Sequence, residues 1–310
     1  MTRRRIGVQV AATTPPAELP DIAAEVERLG YDELWLAEDY FELGGIAAVS
    51  AALAATRSIT VGLGVLSVRV RHPAVAALEL ATVSALYPGR FVAGVGHGVP
   101  VWTGQMGLRP SSYVRSLREG ASGIRRLLDR EELTETGEYH SYDEVSLLHP
   151  PPQHVPLYFG VHGPRSLELA GELADGTLLG WFSSPDYVRW ARGRIEEGRA
   201  AAGRTDRHAI VVLAVCSLDE ADPSAARAEL RAWASDFLKA QAGLPETTAT
   251  EAGRRLDAAI GEAGDGVLSD DIIGEFMASG SVADCRAFIQ RLLDAGADRV
   301  VLVPNPAGQR

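Results

Sequence analysis

The sequence predicts an α/β fold, a (β/α)8 TIM barrel with a long insertion late in the barrel, and three observations carry that prediction. Eight short apolar runs have strand character, at residues 6–10, 33–37, 60–65, 91–95, 156–161, 177–180, 210–215 and 299–303. Helical patterns separate most of them, and strands that alternate with helices pair in parallel. A helix-glycine-strand junction also recurs: Leu29-Gly30-Tyr31-Asp32 returns as Ala295-Gly296-Ala297-Asp298, and more loosely as Leu173-Ala174-Asp175-Gly176.

Taken in order, the first strand is followed by Pro15-Pro16 and a helix whose apolar face is Leu19, Ile22, Ala23, Val26 and Leu29, stopped by Gly30. The stretch from Thr60 to Gly98 organises the rest. Gly62 and Gly64 interrupt the third strand, which marks a bulge or a close approach to the backbone. Pro73 begins a helix in which Val75, Leu78, Thr82, Ala85 and Leu86 recur at helical spacing, and Pro88-Gly89 closes it before a strand that ends in Gly96-His97-Gly98. Further helices are predicted over 45–56, 112–129, 164–174, 185–202 and 281–295. In the last, Ser281 is the N-cap and Val282, Cys285, Phe288, Ile289 and Leu292 form the buried stripe. Two segments exceed the repeating unit. Residues 131–152 are polar and end in three prolines, and 220–273 carries helical stretches over 225–240 and 252–263, expected to cover the barrel mouth. With no interdomain linker in view, residues 1–310 read as a single domain.

The chain has 41 acidic against 30 basic residues and a formal charge of −11, so it offers no footprint for nucleic acid or for an anionic membrane surface. An anionic ligand needs a local basic pocket. Cys216 and Cys285 have neither a near neighbour in sequence nor metal-ligand spacing, which excludes a zinc motif and fits a reducing, cytoplasmic setting. The apolar run after Arg3-Arg4-Arg5 is too short for a signal sequence. No metal is expected.

In a parallel barrel the ligand lies at the carboxyl ends of the strands, and four groups of residues fall there. Glu38, Asp39 and Tyr40 follow the second strand, where an acidic pair is a candidate acid or base. His97 lies between two glycines after the fourth. His162-Gly163-Pro164-Arg165-Ser166 joins the fifth strand to a helix, and a helix N-terminus beside an arginine suits a phosphate. Arg69, Arg71 and His72 add positive charge after the third strand. Trp102 and Gln105, with Tyr40, are candidates for the substrate pocket, Trp102 and Gln105 being equally readable as packing. No P-loop, HExxH or GxSxG motif occurs.

The ensemble GLGVLS, RHP, PGRF and GVGHG, at 62–67, 71–73, 88–91 and 94–98, resembles the bacterial luciferase-like family, which includes flavin-dependent monooxygenases and oxidoreductases using the deazaflavin F420. The resemblance implies a non-prolyl cis peptide at Gly64-Val65 forming a bulge behind the cofactor ring, Gly96, His97 and Gly98 near that ring, and cofactor phosphate at His162, Gly163, Pro164, Arg165 and Ser166. It also shows two departures. Asp39 stands where relatives often have a histidine, so proton transfer there requires burial to raise its pKa. Val99 stands where F420-dependent sugar-phosphate dehydrogenases have a glutamate, which argues against sugar-phosphate oxidation. The resemblance thus implies hydride transfer between F420 and a small organic substrate, with Asp39, Glu38 and His97 as catalytic candidates. An FMN-dependent monooxygenase and a non-catalytic flavin-binding protein are the alternatives, and a homodimer stays open as the assembly.

Overall fold

The computed structural model describes residues 5–240, 244–263 and 268–305. The eight apolar runs form the strands Arg5–Val10, Glu33–Leu36, Thr60–Leu63, Phe91–Gly96, Leu157–Gly160, Gly176–Leu179, Ala209–Leu218 and Arg299–Pro304. Each pairs in parallel with the next, and the eighth returns to the first, Val8 lying beside Leu302. The ring therefore closes into the predicted (β/α)8 barrel. Two short strands extend it: Leu66–Ser67 beside the fourth strand and Ala278–Gly280 beside the seventh.

Trp35, Val92, Tyr158, Leu178, Val211 and Val301 fill the barrel interior, while a second cluster packs the strands against the surrounding helices. The indole of Trp35 explains one glycine of the third strand. A Cβ on Gly62 would lie 2.5 Å from Trp35 Cδ2, so the group that approaches this backbone closely is a side chain of the barrel's own core. The indole N–H donates to Glu33 (3.0 Å), whose buried carboxylate also pairs with Arg299 (3.0 Å), so the charge inside the barrel is compensated.

The helices keep close to their predicted bounds. His72 caps Pro73–Leu86 by accepting from the Ala74 N–H (3.2 Å), and Ser281 with Asp284 makes a capping box for Val282–Asp294. In Pro73–Leu86 the positions that recur at helical spacing are the exposed ones. Val75, Leu78, Thr82, Ala85 and Leu86 point outward, and Ala76, Ala77, Leu80, Ala81 and Val83 are the buried side. That helix is apolar all round, and periodicity then cannot choose its face. Residues 131–152 hold an antiparallel ribbon, Leu133–Thr136 with Ser141–Val145, which alternation does not signal because only Leu133 and Tyr142 in it are buried.

After the seventh strand the insertion forms helices Pro223–Ala240, Pro245–Thr248, Glu251–Ala263 and Asp270–Phe276. It docks on the loop after the sixth strand through packed rings: Trp233 stacks 5.8 Å from Phe182 at 7°, and Phe237 lies tilted 5.6 Å from Trp181. Leu230, Ala234 and Phe276 join the core cluster that fills the barrel, so the insertion packs on the end where the strands finish. No described helix is long and apolar enough to cross a membrane.

Candidate active site

The loop after the second strand is built on Glu38. Its carboxylate is buried and accepts from Arg71 Nη1 (2.6 Å) and Nη2 (2.7 Å), from the Gly45 N–H (3.1 Å) and from the Tyr40 hydroxyl (2.7 Å). Arg71 reaches on to Glu79 (3.0 Å). Both oxygens of Glu38 are thus engaged in holding the loop against the next βα unit. Asp39 differs. Its carboxylate has no hydrogen bond or ion pair among the described residues, and it lines a cleft formed by residues 38–44 with Arg71. Burial, reinforced by the charges of Glu42 and Glu38, raises it from 3.8 to about 6. Burial therefore brings an aspartate into the range a neutral-pH proton shuttle requires, as the loss of the histidine demanded.

Two peptide bonds here are cis, Gly64-Val65 and Tyr40-Phe41; the first was implied by the resemblance, the second was not. The Val65 side chain enters a hollow walled by three glycines. A Cβ on Gly94, Gly96 or Gly160 would come within 2.9, 2.9 and 2.8 Å of its methyl groups. Glycines of the fourth and fifth strands therefore seat the bulge that follows the third, a role visible only after the strands are neighbours. Tyr40 and Trp102, both half-buried, meet edge to face with ring centroids 6.1 Å apart. Gln105 is exposed at the end of the short helix Pro100–Gln105, and Phe41, Val99 and Val101, beside Tyr40 and Trp102 in sequence, are exposed apolar side chains.

Gly98 has a φ of +74°, and a Cβ there would lie 2.6 Å from Ser67 Oγ, so only glycine fits on both counts. Ser67 donates to the carbonyl of His97 (3.1 Å) and fixes the turn. The His97 ring is directed at Ser166 (Nε2 to Oγ, 2.9 Å) and lies edge-on to Tyr113. Burial, then the neighbouring His162, lowers it to about 4, so it is a neutral hydrogen-bonding group at physiological pH.

Helix Pro164–Leu173 starts at Gly163, which caps it without a side chain, so its first N–H groups are free of a capping side chain. A Cβ on Gly163 would meet nothing within 4 Å, and exposed Arg165 has no ion-pair partner among the described residues. Pro164 has no N–H and the Ser166 N–H turns back to the Gly163 carbonyl (3.1 Å), so room, the Arg165 amide and its uncommitted guanidinium coincide, with Ser166 buried beside them. Sequence reasoning missed Glu246, which the insertion places against His162 as an ion pair. Separated by more than eighty residues and lying in a segment without a motif, Glu246 carried no signal.

Among curated proteins, the chain is 31% identical over 237 residues to an F420-dependent glucose-6-phosphate dehydrogenase of Nakamurella multipartita, covering 72% of this chain and 70% of the relative. It is 26% identical over 303 residues to 5,10-methylenetetrahydromethanopterin reductase of Methanolobus tindarius, covering 95% and 92%. Its fold matches a solved F420-dependent secondary alcohol dehydrogenase in complex with an F420-acetone adduct, with a TM-score of 0.80, 23% identity and coverage of 98% and 94%. The profile of the luciferase-like monooxygenase family matches residues 1–299, and this chain belongs to that family.

Proposed function

We propose that this protein is an F420-dependent oxidoreductase that moves a hydride between the cofactor and a small organic substrate. The observation that carries this reading is the uncommitted Arg165 at the open start of helix Pro164–Leu173, in a barrel two of whose compared relatives are F420-dependent. The residues present fit such a group: Gly163 leaves space, the amide and guanidinium of Arg165 match a phosphate, and Val65 is seated among three glycines. F420, when bound, supplies the hydride-carrying ring. The chain supplies position and proton control. Gly163, Arg165 and Ser166 hold the phosphate, with His162 and Pro164 shaping the loop. Gly64 and Val65 back the ring, and Gly96, His97 and Gly98 close the site from the fourth strand. Asp39 gives or takes the proton that accompanies hydride transfer at a carbonyl or alcohol oxygen. Tyr40 and Trp102, with the exposed Phe41, Val99 and Val101, favour an apolar substrate over a sugar phosphate.

FMN is the second reading, because one phosphate suits the same loop and the family description is that of monooxygenases. Calorimetric titration with F420 and with FMN separates them. F420 is expected to bind at least about tenfold tighter, a difference of about 1.4 kcal/mol. Binding of neither cofactor refutes the proposal, and tight binding of F420 without consumption of its reduced form across alcohols and ketones points to a non-catalytic binding protein. Replacing Arg165 by Ala should weaken F420 binding by roughly tenfold at low salt and less at high salt. The same reading includes a cytoplasmic homodimer joined through the exposed apolar face of Pro73–Leu86, testable by sedimentation.

A further inference from the structure

We propose that Glu246, carried by the insertion, is a positioning residue that keeps His162 as a charged hydrogen-bond donor for the phosphate bound at helix Pro164–Leu173. The inference rests on the cofactor reading above and adds a coupling between the insertion and the phosphate loop.

Glu246 lies in Pro245–Thr248, is 3% exposed, and its Oε1 forms an ion pair with His162 Nδ1, while its Oε2 has no hydrogen-bond partner among the described residues. A carboxylate kept so deep beside one imidazole acts through that imidazole. His162 is held from three further sides. A Cβ on Gly180 would lie 2.5 Å from its Cε1, so the ring lies flush on the end of the sixth strand. Tyr187, from helix Pro185–Ala201, donates its hydroxyl to the His162 carbonyl (2.6 Å). His97, from the fourth strand, is the remaining titratable neighbour, neutral and bonded to Ser166.

The His162 side chain is 43% exposed while Nδ1 is buried against Glu246, which leaves Nε2 as the ring nitrogen not taken by that contact. That nitrogen belongs to the residue immediately before Gly163, the N-cap of the phosphate helix, with Arg165 as the other cation of the loop. Burial works against a charged imidazole here, but the charge of Glu246, in ion-pair contact with Nδ1, outweighs it. His162 titrates above its ordinary 6.5, and Glu246 titrates below its ordinary 4.5 despite its own burial. Without the carboxylate, burial acts alone and the ring becomes neutral at physiological pH. An imidazolium donates a charge-assisted hydrogen bond to a phosphate oxygen that a neutral ring makes only weakly.

The test is calorimetric titration of wild type, Glu246→Gln, His162→Gln and the double variant with F420, from about pH 6.5 to about pH 9. At neutral pH, Glu246→Gln is expected to bind about tenfold more weakly than wild type, the scale of a lost charge-assisted bond. The ratio should shrink toward one as pH rises above the His162 titration, because both proteins then carry a neutral ring. Comparing the two proteins at each pH cancels the titration of the cofactor itself. His162→Gln and the double variant should match Glu246→Gln at neutral pH. A ratio that stays the same at every pH overturns the inference, since Glu246 then only fastens the insertion. Losses that add in the double variant overturn it as well. A wild type that binds neither F420 nor FMN sinks the functional reading and this inference together, whereas unimpaired binding by Glu246→Gln sinks the inference alone.

Discussion

Replacing Asp39 by Asn should make the protein more stable and less active, and the stability gain should depend on pH in a defined direction. The Asp39 carboxyl stands at about 6 in the folded protein against an ordinary 3.8, first through burial and then through Glu42 and Glu38. A folded carboxyl that holds its proton more tightly than the unfolded one loses stability as pH rises from 3.8 to about 6, and the full cost is present above that. Two pKa units at about 1.4 kcal/mol each set an upper value near ~3 kcal/mol, and partial exposure of the side chain reduces this to roughly 1–3 kcal/mol. Asn keeps the shape and carries no charge, so at neutral pH the variant should gain that amount. Near pH 4 both side chains are largely neutral and the gain should shrink toward zero. Urea unfolding of the two proteins at about pH 7.5 and about pH 4.5 measures it. A variant that is no more stable at neutral pH, or whose gain is the same at both values, refutes the assignment of Asp39 as a buried, uncompensated carboxyl. Turnover should fall by about 10²–10⁴ in the same variant, the usual contribution of a positioned acid or base.

Three further outcomes follow from packing and protonation. Gly94→Ala should fail to fold or lose at least ~3 kcal/mol in urea unfolding, because its Cβ would lie 2.0 Å from the carbonyl oxygen of Leu63, which cannot move without shifting the bulge. Gly193→Ala, in the exposed middle of Pro185–Ala201 with nothing within 4 Å, should instead gain about 0.5–1 kcal/mol. Equal effects at the two sites would refute the packing argument. His208 is buried, bonded to Thr177 Oγ1 (2.8 Å) and the Ala174 carbonyl, and lowered by burial, then by nearby arginines, from 6.5 to about 4. The unfolded chain therefore binds a proton that the folded protein refuses, so acidification from 6.5 toward 4 should remove up to ~3 kcal/mol through this residue, and His208→Gln should show an acid slope shallower by that share while His97 and His140 keep theirs.

The barrel was legible because serial βα units leave a repeating trace: apolar runs, helix starts such as Ser281 with Asp284, and stops such as Gly30. Local chemistry dictates those features, and it also placed Asp39, Tyr40, His97, Trp102 and the His162-to-Ser166 loop at strand ends. The outward face of Pro73–Leu86 was illegible for the opposite reason, since a helix apolar on every side carries no instruction about its partner. The antiparallel ribbon within 131–152 was equally silent, with only two buried side chains.

By itself the sequence determined the order of elements, their parallel pairing and which loops share the catalytic end, because hydrophobic period, caps and turns are properties of neighbouring residues. The tertiary structure alone decided what those residues meet. Gly62 is a glycine for the sake of Trp35, and Gly94, Gly96 and Gly160 open a hollow for Val65. Glu38 is taken up by Arg71, which leaves Asp39 as the carboxyl raised by burial, and Glu246 arrives at His162 from a distant insertion. Contacts and desolvation depend on distance through space, and a linear chain holds no record of that until the barrel closes.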